Sequence, residues 1–253
     1  MPAGDETAIS PAEQTALLAL WETSCREDGV GQALALLQAA HPHAHRADLA
    51  ALPIGQRDRD LLELHERLFG SSVECLADCD RCGSRMEAAF DCSEIRLPET
   101  KGEPFKVCLR RTEIEARLPD SRDLAAVEGM RDEAAAWRAL VERCILAVRR
   151  GGKTVPSRQL SDALLEAVDA AAADADPQAD IVLSLTCPEC GAQAELPFDI
   201  ARQTWAKLDH WGRAMTAAID VIASRYGWSE AEILALGAHR RQRYLDLIAG
   251  LQR

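Results

Sequence analysis

A chain of 253 residues with 47% hydrophobic content can bury one substantial core or two small ones. Its formal charge of -12 argues against a general binder of phosphate backbones, because that attraction scales with clustered Lys and Arg. No stretch approaches the roughly 20 apolar residues of a bilayer span, and Met1-Pro2-Ala3-Gly4-Asp5-Glu6 lacks the basic start and apolar centre of a signal peptide, so the expectation is a cytoplasmic protein with no membrane part.

Residues 1 to 10 read as disordered. Ser10-Pro11-Ala12-Glu13 then supplies a capping serine, a first-turn proline and an N3 glutamate ahead of Leu17, Leu18, Leu20 and Trp21, which starts a helix. A second apolar run, Ala33 to Leu37, ends before His41-Pro42-His43-Ala44-His45, where proline disfavours continuation. Three alternating histidines suggest a metal handle, but no other ligand stands in register, and the segment reads as a solvated loop. Ile54 to Phe69 predicts an amphipathic helix with Leu61, Leu62, His65 and Leu68 at helical spacing and Gly70 as its stop. His65 belongs to packing or to the surface. Val73 to Leu76 predicts a short strand, Met86, Ala88 and Phe90 the returning strand, and Phe105 to Leu109 another.

Leu118-Pro119-Asp120-Ser121 is a turn into a helical region, with Asp120 or Ser121 able to cap it. Between Leu124 and Arg149, Trp137, Leu140, Val141, Cys144, Ile145 and Val148 recur at spacings that predict one buried helical stripe, with Cys144 in the core. Gly151-Gly152 breaks the chain, Leu160, Leu164, Leu165 and Val168 mark a further helix, and Ile181 to Leu185 reads as a strand. From near Asp199 a long helix runs through Trp205, Leu208, Trp211, Met215, Ile219 and Ile222. Gly227 closes it in the left-handed conformation, Ser229 to Glu232 forms the capping box of another, and a final helix begins near Gly237 or Ala238. Trp205, Trp211 and Trp228 sit among apolar residues and read as core. His239-Arg240-Arg241-Gln242-Arg243 is a local basic patch, either a seat for an acidic partner or a solvated helix face.

The most specific signal is a repeat. Cys79-Asp80-Arg81-Cys82-Gly83 and Cys187-Pro188-Glu189-Cys190-Gly191 stand 108 residues apart in matching frames, and Glu87, Phe90 and Asp91 recur as Glu195, Phe198 and Asp199. Each copy reads as a strand, a knuckle and a returning strand. In a reducing compartment such pairs point to metal rather than to disulfides, and the odd total of nine cysteines weakens any disulfide scheme. Cysteines two residues apart can aim both thiolates at one ion, and the following glycine permits the turn. One knuckle supplies two ligands. Cys79, Cys82, Cys187 and Cys190 together close a four-thiolate shell around one structural Zn2+ per chain, with no open position for water. Iron, a thioredoxin-like dithiol and a metal-free site are the alternatives. Cys75 and Cys92 have no counterparts at Leu183 and Ile200 and read as packing residues.

No other chemistry is evident. Glu87 with Glu195 and Asp91 with Asp199 read as exposed hairpin positions and helix caps, Ser10, Ser121 and Ser229 read as caps, and no phosphate-binding or His-Glu-x-x-His signature is present. The expectation is a protein that is not an enzyme.

The second knuckle with Phe198-Asp199-Ile200 is followed by Trp205, Trp211, Tyr226-Gly227-Trp228-Ser229-Glu230, Ile233-Leu234-Ala235-Leu236 and Arg240-Arg241-Gln242-Arg243-Tyr244. This combination resembles the baseplate hub assembly chaperone family of T4-like contractile phage tails and related contractile injection systems. Leu52-Pro53-Ile54-Gly55-Gln56-Arg57-Asp58 and Arg117-Leu118-Pro119-Asp120-Ser121-Arg122-Asp123-Leu124 extend the likeness over roughly residues 50 to 250. The resemblance implies a factor that helps a baseplate or hub component fold and join its partners, and it implies no reaction. It points to the aromatic and basic C-terminal segment for partner contact, with Trp228, Arg240, Arg241, Arg243 and Tyr244 as candidates.

The fold expected is α+β, mostly helical, with a small antiparallel sheet built from the two knuckle hairpins joined around one metal. Residues 1–50 form a helical N-terminal extension with a disordered start, 51–200 the duplicated knuckle region with inserted helices, and 201–253 a C-terminal helical region on the same body. The alternative function is a zinc-ribbon module that binds nucleic acid or regulates, which would need a positive surface assembled from a globally acidic chain.

Overall fold

In the computed structural model, which describes residues 10–100 and 102–251, the Ser10 hydroxyl accepts from the Glu13 amide at 3.3 Å and opens helix α1 (Pro11–Ser24). The segment expected to be disordered otherwise lies outside the described residues. Asp28 caps α2 (Gly29–Ala40), which ends at His41; the short α3 (Arg46–Ala50) leads to α4 (Ile54–Phe69), stopped at Gly70 with φ 88°. Hairpin β1 (Ser72–Asp78)/β2 (Arg85–Asp91) follows, then one turn of helix, α5 (Cys92–Ile95). Strands β3 (Phe105–Leu109) and β4 (Thr112–Ala116) precede α6 (Ser121–Val127) and α7 (Glu133–Cys144). Next come β5 (Ile145–Arg150), the two-residue β6 (Lys153–Thr154) and α8 (Asp162–Ala175). The second hairpin, β7 (Ile181–Thr186)/β8 (Gln193–Phe198), feeds α9 (Ile200–Tyr226), α10 (Glu230–Leu234) and α11 (Ala238–Leu251).

The protein is α+β and mostly helical, at 56% of the described residues. Among the described residues there are three sheets, all antiparallel: each knuckle hairpin is a two-stranded sheet of its own, and β3-β4-β5-β6 form a third. The single hairpin sheet expected from sequence is thus divided. The four-stranded sheet adds β4, β5 and β6 to the one strand that was legible there.

The helical stripe expected through Val148 stops at Cys144. Ile145 turns extended, and the chain pairs with β4. Spacings of three and four look helical, yet a bulge produces the same phase in a strand. Ala116 pairs with Ile145 and Ile114 with Val148, so one extra residue on β5 brings Ile145 and Val148 to the same face of the sheet. Both then pack with Val141, Leu160, Leu164, Leu165 and Val168. β-branched side chains suit that pleated surface, and the long-range pairing overrides the local period.

The larger core joins distant parts of the chain. Leu36 and Leu37 of α2, Leu61 and Leu62 of α4 and Leu208 of α9 are fully buried, and they cluster with Val73 and Cys75 of the first hairpin and Leu183 of the second. Strand alternation explains the hairpins' share: β1 turns Val73 and Cys75 inward and Glu74 and Leu76 outward, and β7 does the same with Leu183 and Leu185. The far ends of both hairpins rest on helices, while their tips project towards each other.

Candidate metal centre

The two tips repeat one geometry. In the first, the Cys79 amide donates to the Ser84 carbonyl at 2.9 Å and the Gly83 amide to the Cys79 carbonyl at 2.7 Å; in the second, Cys187 donates to Ala192 at 2.8 Å and Gly191 to Cys187 at 2.9 Å. Gly83 and Gly191 have φ of 72° and 69°, left-handed values that favour residues without a Cβ. The turns therefore hold both cysteines of each pair on the inner side of the tip.

The tips meet sulfur to sulfur. Cys79 Sγ lies 3.7 Å from Cys190 Sγ, and Cys82 Sγ lies 3.7 Å from Cys187 Sγ. All four Sγ atoms fall within 4.8 Å of one another, and among the described residues this is the one group of three or more His, Cys, Asp or Glu side chains so arranged. Tetrahedral zinc at about 2.3 Å from each thiolate requires sulfurs about 3.8 Å apart, so the donor set and its spacing fit that ion. Cys79 and Cys187 are buried with Met86, Cys190 is half-buried and Cys82 is exposed.

The electrostatics of the thiols suit a cation. The hydroxyl and amide of Ser84 beside Cys82, helped by the neighbouring thiols, lower its pKa to about 6. The Ala192 amide also lowers Cys190, but burial and the thiols of Cys82, Cys79 and Cys187 outweigh it and push Cys190 up to about 12. Four sulfurs crowded together resist full ionisation on their own, and a divalent ion supplies the charge that makes all four thiolates stable. Four protein donors leave no position for water, so a metal here braces the fold rather than activating a reactant.

Other sequence candidates separate clearly. Cys75 and Cys92 are buried in the larger core, and burial pushes both thiols up. Burial, together with the nearby Asp123 charge, pushes Cys144 up to about 12. His65 is fully buried, with Nδ1 3.1 Å from Thr204 Oγ1 and its ring edge-on to Phe69. His41 Nε2 pairs with Asp60 Oδ2 at 2.7 Å, and among the described residues the histidine loop gathers no ligand cluster. Glu87 and Glu195 are exposed, whereas Asp91 and Asp199 cap α5 and α9. Ser10 and Ser229 cap α1 and α10, and Asp120 rather than Ser121 caps α6.

At the C-terminus Trp228 stacks on Tyr226 at a centroid distance of 5.1 Å and meets Tyr244 edge-on at 5.0 Å. Arg240 and Arg243 are exposed. Arg241 points inward: it is 8% exposed and donates to Gln14 Oε1 at 3.0 Å and to the Leu236 carbonyl at 3.2 Å, which ties α11 to α1. It braces the structure and leaves the outer face of the basic patch to Arg240 and Arg243.

Sequence reading missed a polar junction. The two Leu-Pro segments meet where the Ile54 amide donates to the Pro119 carbonyl at 3.1 Å and Pro53 bridges to Asp120. Beside it the Gly55 amide donates to buried Asp176 Oδ2 at 2.9 Å. Asp123, fully buried, takes both Nη groups of Arg117, at 2.6 and 3.0 Å, and Arg143 Nε at 3.0 Å. Two Arg- and Asp-bearing segments flanking Leu-Pro were the available signal.

A helical α+β body in which two cysteine knuckles meet sulfur to sulfur defines a protein with a candidate structural metal centre. A family model described as T4 bacteriophage base plate protein matches residues 11–201, and the chain belongs to that family. The likeness therefore starts earlier than residue 50 and stops at the first turn of α9, short of the aromatic and basic segment. Comparison with curated proteins and comparison with solved structures each gave no match. Among the described residues no helix is long and apolar enough to cross a membrane.

Proposed function

We propose that this baseplate-family protein is a non-enzymatic assembly factor, or chaperone, for a hub component of a contractile phage tail or injection particle, acting in the cytoplasm and braced by one structural Zn2+ on Cys79, Cys82, Cys187 and Cys190. The family match over residues 11–201 carries the reading. The sulfur cluster supports it from the chemical side, since a closed four-thiolate shell stabilises a scaffold and leaves no room for a reactant. Partner contact falls to the face that exposes Arg240 and Arg243 beside the half-buried Trp228 and Tyr244, with Arg241 holding that face to α1. The chain divides into the extension 1–50, the duplicated region 51–200 and the helical region 201–253. All three contribute side chains to one core, as Leu17, Leu61 and Leu208 illustrate.

Co-expression with the hub and baseplate proteins of the same particle tests this. The expected outcome is a hub component that becomes soluble and co-purifies with the chain only when both are made together. Equal recovery of every hub component with and without the chain would overturn the chaperone reading and leave a role as a baseplate constituent.

A further inference from the structure

Two exposed turns lie side by side at one end of the four-stranded sheet. Arg110 and Arg111 join β3 to β4, Gly151 and Gly152 join β5 to β6, and the Gly151 amide donates to the Arg111 carbonyl at 3.2 Å. The register draws one row across all four strands, with Leu109 opposite Thr112, Thr112 opposite Arg150 and Arg150 opposite Lys153. Residues in such a row share a face, and along it Arg150 Nε donates to Thr112 Oγ1 at 3.2 Å. Arg110, Arg111, Arg150 and Lys153 are exposed, and none makes an ion pair among the described residues. Neither the row nor the two turns contain a carboxylate. Glu113 stands in the next row with Cys108 and Arg149, on the opposite face, and its carboxylate accepts from Lys106 at 3.0 Å.

The backbone supplies a second observation. Arg110 has φ 55°, a left-handed value that glycine adopts freely and arginine rarely does. A cation thus stands where the turn itself favours a residue without a side chain. Nothing crowds the neighbouring turn, since a Cβ built at Gly151 or Gly152 would meet no atom within 4 Å. Leu109, 37% exposed, adds an apolar end to the row.

We propose that this end of the sheet docks an acidic segment of a partner protein, with its carboxylates on Arg110, Arg111, Arg150 and Lys153 and an apolar side chain against Leu109. Charge complementarity selects the occupant, because the open groups are cations and the guanidinium fork matches a carboxylate. A nucleic-acid backbone fits worse. The row is only about 15 Å wide at the strand spacing of a sheet, and phosphates running past it would meet the surface that gives the chain its formal charge of -12. The inference rests on the reading that the chain works by binding another protein, and it adds a contact within the family-matched residues.

The test uses the full-length, metal-replete protein and fluorescence anisotropy with a short end-blocked peptide of glutamates around one leucine. Its glutamine counterpart and a short mixed-sequence DNA duplex are titrated beside it. The acidic peptide should bind saturably and more tightly than either, weaken as salt rises, and shift the amide resonances of Arg111, Gly151 and Lys153. Arg110→Gly removes a cation while relieving the left-handed backbone, so it should leave the fold intact; combined with Lys153→Gln it should weaken the peptide about fivefold or more at low salt, as exposed ion pairs imply. Arg26→Gln, which removes an exposed cation outside the sheet, should leave binding unchanged. Equal binding of the glutamine peptide, duplex binding as tight as that of the acidic peptide, or a double variant with wild-type affinity would overturn the proposal. Because no baseplate protein enters this experiment, its failure removes the basic row and leaves the assembly reading to the co-expression test.

Discussion

Asp123 is held by charge and hydrogen bonds against its own burial. Desolvation pushes its carboxyl up, but the Arg117 hydrogen bond, the Asp120 amide and the charges of Arg117 and Arg143 outweigh it and leave it below the ordinary carboxylate range. A depressed folded-state pKa contributes stability that is complete above the unfolded value, near 4, and is lost as pH falls through the folded one. Asp123→Asn should therefore lower stability at neutral pH by about 2 kcal/mol, measured by urea unfolding, and that deficit should shrink progressively below about pH 4. A deficit independent of pH would mean that shape, not charge, holds the junction. Gly55 is a second test of the same corner. A Cβ built there would stand 1.9 Å from Asp176 Oδ1, so Gly55→Ala must displace a buried carboxylate and break its bond to the Gly55 amide. The expected loss is about 2 to 3 kcal/mol, and near-native stability by the same measurement would contradict this packing. Gly55 does not announce itself in the sequence, because its partner Asp176 lies 121 residues away; Asp123 takes its partners from Arg117 and Asp120 nearby and from Arg143, but nothing local shows that it is buried.

Elements were legible where their signals are local. The capping boxes, Gly70, Gly227 and the duplicated knuckles lie within a few residues of what they control, and the helices and hairpins they bound stand where expected. β4 and β5 were not legible, since the bulge that aligns Ile145 with Val148 copies a helical spacing and the pairing that creates it spans some 30 residues. The divided sheets have a consequence for dynamics. An isolated two-stranded hairpin is marginal in water, and among the described residues neither knuckle hairpin has a third strand beyond its own pair. Chelation should accordingly speed amide hydrogen exchange in the tips at Cys79, Gly83, Cys187 and Gly191, with little change in β3, β4 and β5, which rest on their own core with α7 and α8. Uniform acceleration would mean that the metal controls global unfolding, and no change would mean that the hairpins need none.

At the scale of the molecule the tips join two segments 108 residues apart and draw the intervening strands and helices into one body. The two cysteine pairs that the structure brings together were legible, because their spacing and duplication are written locally. The sequence could not carry the inward turn of Arg241, which depends on how α1 and α11 pack. A metal bound by the folded state alone adds to stability by mass action and makes folding sensitive to chelators. The cross-hairpin clamp is tested most directly by metal content. Native mass spectrometry with elemental analysis should be applied to protein purified without added metal, beside Cys79→Ser and Cys187→Ser. One zinc per chain, lost from either variant, is the result expected of one site shared by both knuckles. Metal-free protein that remains folded, or a zinc that survives one of the substitutions, would contradict it.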